Sequence, residues 1–216
     1  EVLASFSATL SATRDCAEYT FDFGQPNWMP PFSMILLVGI INEFRLKRPT
    51  ATYIAINHRK HSYAAHFGFF QAMGLDFGNL PGQATGSSTY VPITKIDVPE
   101  IRSQAVNEFL AVGDVIDNKA SELTGVLTSQ TTGALRDTLK YSIREIIRNS
   151  VEHSTSNNVL FCAQFWPSIG EAEVAILDTG IGINGGLQNN PKFLGLSDRQ
   201  ALSHALMPGV SGNPHA

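Results

Sequence analysis

The sequence is short of the residues that build metal knuckles, disulfide frameworks and membrane spans. Its two cysteines, Cys16 and Cys162, lie far apart and form no CxxC pair, which excludes a zinc knuckle and a disulfide scaffold. The longest apolar run, Met34 to Ile41, has eight residues, whereas a membrane helix needs roughly 20. Charge of one sign is also lacking. Fifteen Lys and Arg stand against 19 Asp and Glu, for a formal net charge of -4. That balance excludes a general basic field for nucleic acid and leaves room only for a local patch. No secretory leader, internal repeat, low-complexity tract or long linker is visible. A reducing, cytoplasmic setting is the expectation. The chain opens on Glu1 rather than Met and closes on a loop-like Gly212-Asn213-Pro214-His215-Ala216, which predicts truncation.

What remains is ordinary globular material: 216 residues, 43% hydrophobic and 16% charged, enough for one or two cored domains. Tyr19, Phe21 and Phe23 alternate and predict a strand from Glu18 to Phe23. Pro26, Pro30 and Pro31 punctuate a loop, with Pro31 suited to open a helix over Phe32 to Lys47 that Pro49 ends. Ala51 to Asn57 reads as a second strand, and Ser62 to Met73 as a helix stopped by Gly74. After a loop over 75–90, Tyr90 to Ile96 reads as another strand. Residues 1–95 thus predict a small α/β domain.

Residues 96–216 read differently. A helical pattern runs from Pro99 to about Leu127, broken near Gly113, and Thr128 to Gly133 is a polar turn. Ala134 to His153 carries the strongest helix pattern of the chain. Val159 to Trp166 and Glu171 to Leu177 form a predicted hairpin, followed by a Gly-rich stretch from Gly180 to Gly186. Ser197 is a candidate N-cap for a last helix to Met207.

On a wheel of about 100° per residue, Leu135, Leu139, Ile143 and Ile146 share one face of the 134–153 helix, widened by Ile147 and Val151. Glu145, Asn149 and His153 follow at i, i+4 and i+8 as a polar row bordering that stripe, opposite Lys140, Arg144 and Arg148. Such a row can line a pocket; taken alone it also reads as a solvated face. The second motif is Asp178-Thr179-Gly180-Ile181-Gly182 at the end of an apolar strand. Its carboxylate can accept a hydrogen bond from an exocyclic amine, and its glycines let the backbone approach a flat ring. Taken alone, it also reads as a bulge or hairpin.

Together, in this order and spacing, the two motifs are far more specific. Glu145-Ile-Ile-Arg-Asn149-Ser-Val-Glu-His153 resembles the N box of the gyrase B, heat-shock chaperone, histidine kinase and MutL (GHKL) superfamily, and Asp178-Thr-Gly180-Ile-Gly182 resembles its first glycine box. Pro208-Gly209-Val210-Ser211-Gly212 resembles the end of the ATP lid of bacterial members. The resemblance covers about residues 100–216. It implies an α/β sandwich, with helices on one face of a mixed sheet, that binds ATP and Mg²⁺. By it, Asn149 would hold Mg²⁺ through its side-chain oxygen, a hard donor suited to an ion that keeps much of its water. Asp178 would read the adenine amine, and Gly180 and Gly182 would give the ring room. Residues from Asn184 to about Gly212 would form the lid, with Gly209 and Ser211 near the phosphates. Glu145 stands where ATPases and anti-sigma serine kinases of the superfamily carry a general base. His153 would contact phosphate or cap the helix end. The further glycine-rich box that follows the lid elsewhere in the superfamily does not appear before the sequence stops, so either the protein continues or it is a degenerate relative; without that segment phosphate binding would be weaker and a sheet edge exposed.

The strand–helix–strand–helix order over residues 18–80, with its Met73-Gly74-Leu75 ending, resembles STAS-like domains of bacterial anti-sigma antagonists and implies a regulatory or protein-binding role. Ser33 and Ser62 stand at helix starts, where N-capping is the expected role. His58, Arg59, Lys60 and His61, with His66 beyond them, read as a solvated loop because their spacing suits no metal site on one helix. The leading function is an ATPase switch whose lid closure on ATP controls a protein partner or a homodimer. An anti-sigma-type serine kinase and a non-catalytic nucleotide sensor or scaffold are the alternatives. A histidine kinase fits least, since no His lies between His66 and His153 to accept phosphate.

Overall fold

Alternating aromatics form β1 (Glu18–Asp22), and the apolar alternation beyond Pro49 forms β2 (Thr52–Ile56). They pair in parallel, Tyr19 beside Tyr53 and Phe21 beside Ala55. Parallel neighbours need a crossover, supplied here by α2 (Pro31–Leu46). Pro31 sits in its first turn, where a missing N–H costs nothing. Met34, Ile35, Val38 and Ile41 recur at helical spacing and are buried. The structure is a computed structural model and describes residues 2–25, 28–107, 111–128 and 133–213, with the side chains of Val2, Arg102, Leu135, Glu152 and His153 outside that set.

Three local readings change. The helix expected over 62–73 is two short ones, α3 (Ser62–His66) and α4 (Phe69–Ala72), separated by Gly68 at φ 84°. In one continuous helix Phe67 and Phe69 would point roughly 200° apart; the left-handed glycine re-aims the chain, and Phe67, Phe69 and Phe70 are all fully buried. Neither Ser33 nor Ser62 caps a helix: the N-cap positions are Pro30 and His61, without side-chain cap bonds. The two serines lie just inside the helices rather than before them. The basic cluster forms a short 3-10 turn between strand and helix over His58–Lys60; Arg59 and Lys60 are exposed as expected, but the two histidines are not. His61 is buried, with Nε2 2.7 Å from the Phe23 carbonyl oxygen. The His58 ring packs edge-on to Phe70 and Phe77, and Lys60 Nζ donates to the Gly24 carbonyl at 2.5 Å.

A helix that the sequence did not announce, α1 (Val2–Ala12), precedes them. It is rich in Ser and Thr, weak helix formers. Thr9 and Ser11 hydroxyls bond back to the carbonyls of Ser5 and Ser7 inside it.

The second sheet holds β3 (Tyr90–Asp97), β4 (Asn158–Trp166) and β5 (Glu171–Asp178) in the order β3-β4-β5, and it is antiparallel. β4 is central, and Val159, Phe161, Cys162 and Ala163 are buried along it. The remaining helices are α5 (Val98–Asn107), α6 (Val112–Thr128), α7 (Ala134–His153), α8 (Gly182–Leu187) and α9 (Asp198–Ala205). The helical pattern expected over 99–127 is two helices, α5 and α6, separated just before Gly113, which lies in the first turn of α6. Most of the polar turn expected over 128–133 falls outside the described residues. The molecule is thus mixed α/β, with a small parallel sheet and an antiparallel one.

Contacts divide the chain into two units: residues 1–95, 121–140 and 160–177, and residues 96–120, 141–159 and 178–216. The core of the first gathers Met34, Val38, Phe67, Phe70, Ile93, Cys162 and Ala175. Among the described residues no helix is long and apolar enough to cross a membrane.

The cysteines are both free, Cys16 exposed and Cys162 fully buried. Burial pushes the Cys162 thiol pKa well up, reinforced by the nearby Glu173 carboxylate. Only the thiolate attacks an alkylating agent. Native protein treated with iodoacetamide at pH 8 is therefore expected to carry one adduct, on Cys16, and a second on Cys162 only after denaturation. Peptide mass spectrometry reads this directly; native labelling of Cys162 would contradict its burial.

Candidate functional site

The site lies in the second unit, where the C-terminal half of α7 meets the turn after β5. Ile143, Ile147 and Val151 are buried along α7 as expected. Ile146 is not: it is 47% exposed, and Ser150 completes the buried stripe in its place. Leu135 is among the side chains outside the description. Serine can occupy that stripe because its hydroxyl is satisfied. Ser150 Oγ lies 3.1 Å from the Ile146 carbonyl oxygen and 3.0 Å from Asp178 Oδ2. The buried stripe is thus centred on Ile143, Ile147 and Ser150, away from Glu145 and Asn149. Asn149 is exposed and Glu145 partly so.

Asp178 ends β5 and is held from two sides. Oδ2 accepts from the Ser150 hydroxyl at 3.0 Å, and Oδ1 accepts from the Gly180 N–H at 2.9 Å. One turn further along, Ser154 locks the next part of the turn. Its carbonyl accepts the Ile181 N–H at 2.7 Å, its hydroxyl donates to the Ser150 carbonyl, and the Ser156 N–H donates to that hydroxyl at 3.0 Å. Gly180 packs straight onto this backbone: a Cβ built there would stand 1.8 Å from the Ser154 carbonyl oxygen. Gly182 has the other kind of glycine role, a positive φ of 69° in open space. Ser150, the residue after Asn149, grips the Asp178 carboxylate, while the Asn149 side chain is exposed and, among the described residues, makes no hydrogen bond to Asp178.

Glu145 departs from the expected row. It pairs with its neighbour Arg144, at 2.9 Å to Nη2 and 3.3 Å to Nε. That hydrogen bond pushes the Arg144 pKa further up. His153 closes α7, but its side chain lies outside the described residues.

The segment after the turn is helical. The Gly-rich stretch enters α8, and a 3-10 turn over Pro191–Phe193 leads to α9. Ser197 caps α9 as expected, in a reciprocal capping box with Gln200. Asn184 Nδ2 bridges the Leu196 carbonyl at 3.1 Å and Asp198 Oδ1 at 2.8 Å. Buried Asn190 donates to the Ser211 carbonyl at 3.1 Å and accepts from the Lys192 N–H. Gly209 is exposed at φ 76°, and Ser211 Oγ accepts from the Asn213 N–H at 3.0 Å. Among the described residues no hydrogen bond joins Gly209 or Ser211 to Asn149 or Asp178.

The sequence reading missed Ser150, Ser154 and the exposed Ile146. A serine at i+1 from Asn149 and another four residues on was the available signal: helical serines on an apolar face must bond to something. Ile146, one turn before Ser150, leaves its apolar side chain in solvent.

Comparison with protein-family models, with curated proteins and with solved structures returned no match.

Proposed function

We propose that this protein binds ATP with Mg²⁺ and works in the cytoplasm as a switch with slow hydrolysis, in which closure of residues 184–212 over the nucleotide controls a protein interaction. The observation that carries the reading is the doubly held Asp178, its two oxygens set by Ser150 and Gly180. The residues suit the group. Asn149 offers a hard amide oxygen in solvent, the donor type that magnesium accepts. Bound Mg-ATP would supply an activated γ-phosphoryl group. The chain's part would be positioning: Asp178 accepts from the exocyclic amine, Gly180 and Gly182 leave the ring space, and Asn149 holds the ion. Glu145, once freed from Arg144, takes a proton from the attacking water. The β1–α2–β2 segment is read as a STAS-like regulatory module.

The Arg144–Glu145 pair favours a second reading, a nucleotide sensor that binds without turnover, because Glu145, the candidate base, is engaged by a guanidinium. Titration with ATP, with and without Mg²⁺, tests the shared premise. Wild type should bind in a Mg-dependent way and Asn149→Ala should lose that dependence; no binding by folded wild type would sink both readings. Phosphate release then separates them. A switch turns over ATP and loses turnover in Glu145→Ala while keeping binding, whereas a sensor releases no phosphate in either form.

A further inference from the structure

The first unit contains a sheet edge and a cavity that belong together. β1 and β2 form a sheet of two strands, and among the described residues β2 has no partner on its other side. The ladder tells which backbone groups are free. The Thr52 N–H donates to the Ala17 carbonyl at 2.8 Å, and the Ile56 carbonyl accepts the Phe23 N–H at 3.0 Å. Residues 52 and 56 thus face β1, and by the two-residue period of a strand so does 54. The N–H and C=O groups of Tyr53 and Ala55 therefore point out along the free edge.

Beside that edge lies a cavity of about 200 Å³. Its walls include Phe21, Ile41, Tyr53, Met73 and Leu75, and Arg45 is its one charged lining residue. Apolar cavities of about 150 Å³ accept a benzene-sized group, so this one has room for side chains. It lies on the α2 side of the sheet, since Tyr53 and Ala55 turn their side chains inward while Thr52, Ile54 and Ile56 are exposed. A third strand laid along β2 would aim every second side chain into this space. The Arg45 guanidinium sits 5.0 Å above the Tyr53 ring. It donates through Nη1 to the Met73 carbonyl, and its other N–H groups carry no hydrogen bond among the described residues. Those donors suit a carboxylate.

We propose that the free edge of β2 docks an extended peptide segment of a protein partner, adding a third strand to the sheet. The segment alternates polar and apolar side chains; its apolar side chains fill the cavity and one carboxylate meets Arg45. Backbone pairing would give affinity, and the cavity with Arg45 would give register and preference. Unpaired edges of this kind are usually blunted by proline, lysine or a covering element. Residues 52–56 carry neither proline nor lysine.

The test uses the intact chain and a fluorescein-labelled, C-amidated probe, Thr-Leu-Thr-Val-Thr-Glu-Thr, read by anisotropy. Saturable binding is expected, weakened at least about tenfold by Ala55→Pro, which removes an outward N–H and leaves the β1 ladder intact. A probe with Gln for Glu should lose several-fold on unaltered protein, so the outcome does not hang on the variant's folding. In hydrogen exchange, the Tyr53 and Ala55 amides should exchange fast alone and slow when the probe is bound. No saturation of folded wild type at about 1 mM probe, equal binding of a scrambled probe, or protection confined to other segments would overturn the proposal.

Discussion

Gly180→Ala should be among the most damaging single substitutions in the second unit. The added methyl would lie 1.8 Å from the Ser154 carbonyl oxygen and 2.5 Å from its carbon. Both are backbone atoms, which cannot swing aside as a side-chain tip can. Relief requires the turn to lift off α7, breaking the 2.7 Å bond from the Ile181 N–H to Ser154 and the 2.9 Å bond from the Gly180 N–H to Asp178. Overpacking with loss of hydrogen bonds reaches about 3 kcal/mol or more, and a chain of this length then melts roughly 6–12 °C lower. Gly182→Ala is the matched control. It meets nothing within 4 Å and is strained only by its φ of 69°, a cost of about 1–2 kcal/mol. Thermal melts of the two variants should order them, Gly180→Ala lowest, and the Ile181 amide should lose exchange protection only in that variant. Equal melting temperatures would mean that the close approach on Ser154 does not exist in solution.

The second large effect concerns binding. Asp178→Ala should weaken Mg-ATP by at least about 100-fold, or about 2.7 kcal/mol, while its stability cost stays nearer 1–3 kcal/mol. The reason lies in what the carboxylate does in the folded chain. Both oxygens are already oriented by Ser150 and Gly180, so little reorganisation is needed when an amine arrives. Ser150→Ala keeps the charge and removes one of its two holders. It should therefore weaken binding by only about tenfold, and its effect should nearly vanish in the Asp178→Ala background because the two residues share one bond. Calorimetric titration of the two single variants and the double variant completes the cycle. If Asp178→Ala binds as wild type does, the nucleotide reading fails at its carrying residue. Strict additivity would instead detach Ser150 from the site.

These expectations draw on two levels of information. Where a signal is local, sequence and structure agree closely. α7 spans Ala134–His153 as its periodicity predicts, β4 and β5 sit within a residue or two of their apolar runs, and Ser197 caps α9 through its own side chain. The candidate site was legible to the extent that spacing is informative. Glu145, Asn149 and Asp178 are singled out by position; of the three, Asp178 is held by Ser150 and Gly180 and Glu145 pairs with Arg144, while Asn149 is exposed.

Other features depended on which faces meet. No periodicity shows that Gly68 divides a helix, because the division answers to three phenylalanines that must share one core. The wheel placed Ile146 inside and said nothing of Ser150. The reverse holds because a carboxylate 28 residues later, at the end of β5, satisfies the serine hydroxyl. The Glu145–Arg144 pair is likewise a choice of rotamer on the assembled surface.

Most elements and the chemical types available to a site follow from local pattern, since capping, strand alternation and helical spacing act between residues a few positions apart; α1 and the division at Gly68 do not. Which glycine is sterically required, which serine carries the carboxylate, and which strand edge lies open beside Arg45 depend instead on packing. Those are properties of surfaces brought together across the chain, and desolvation and steric contact arise only once they meet.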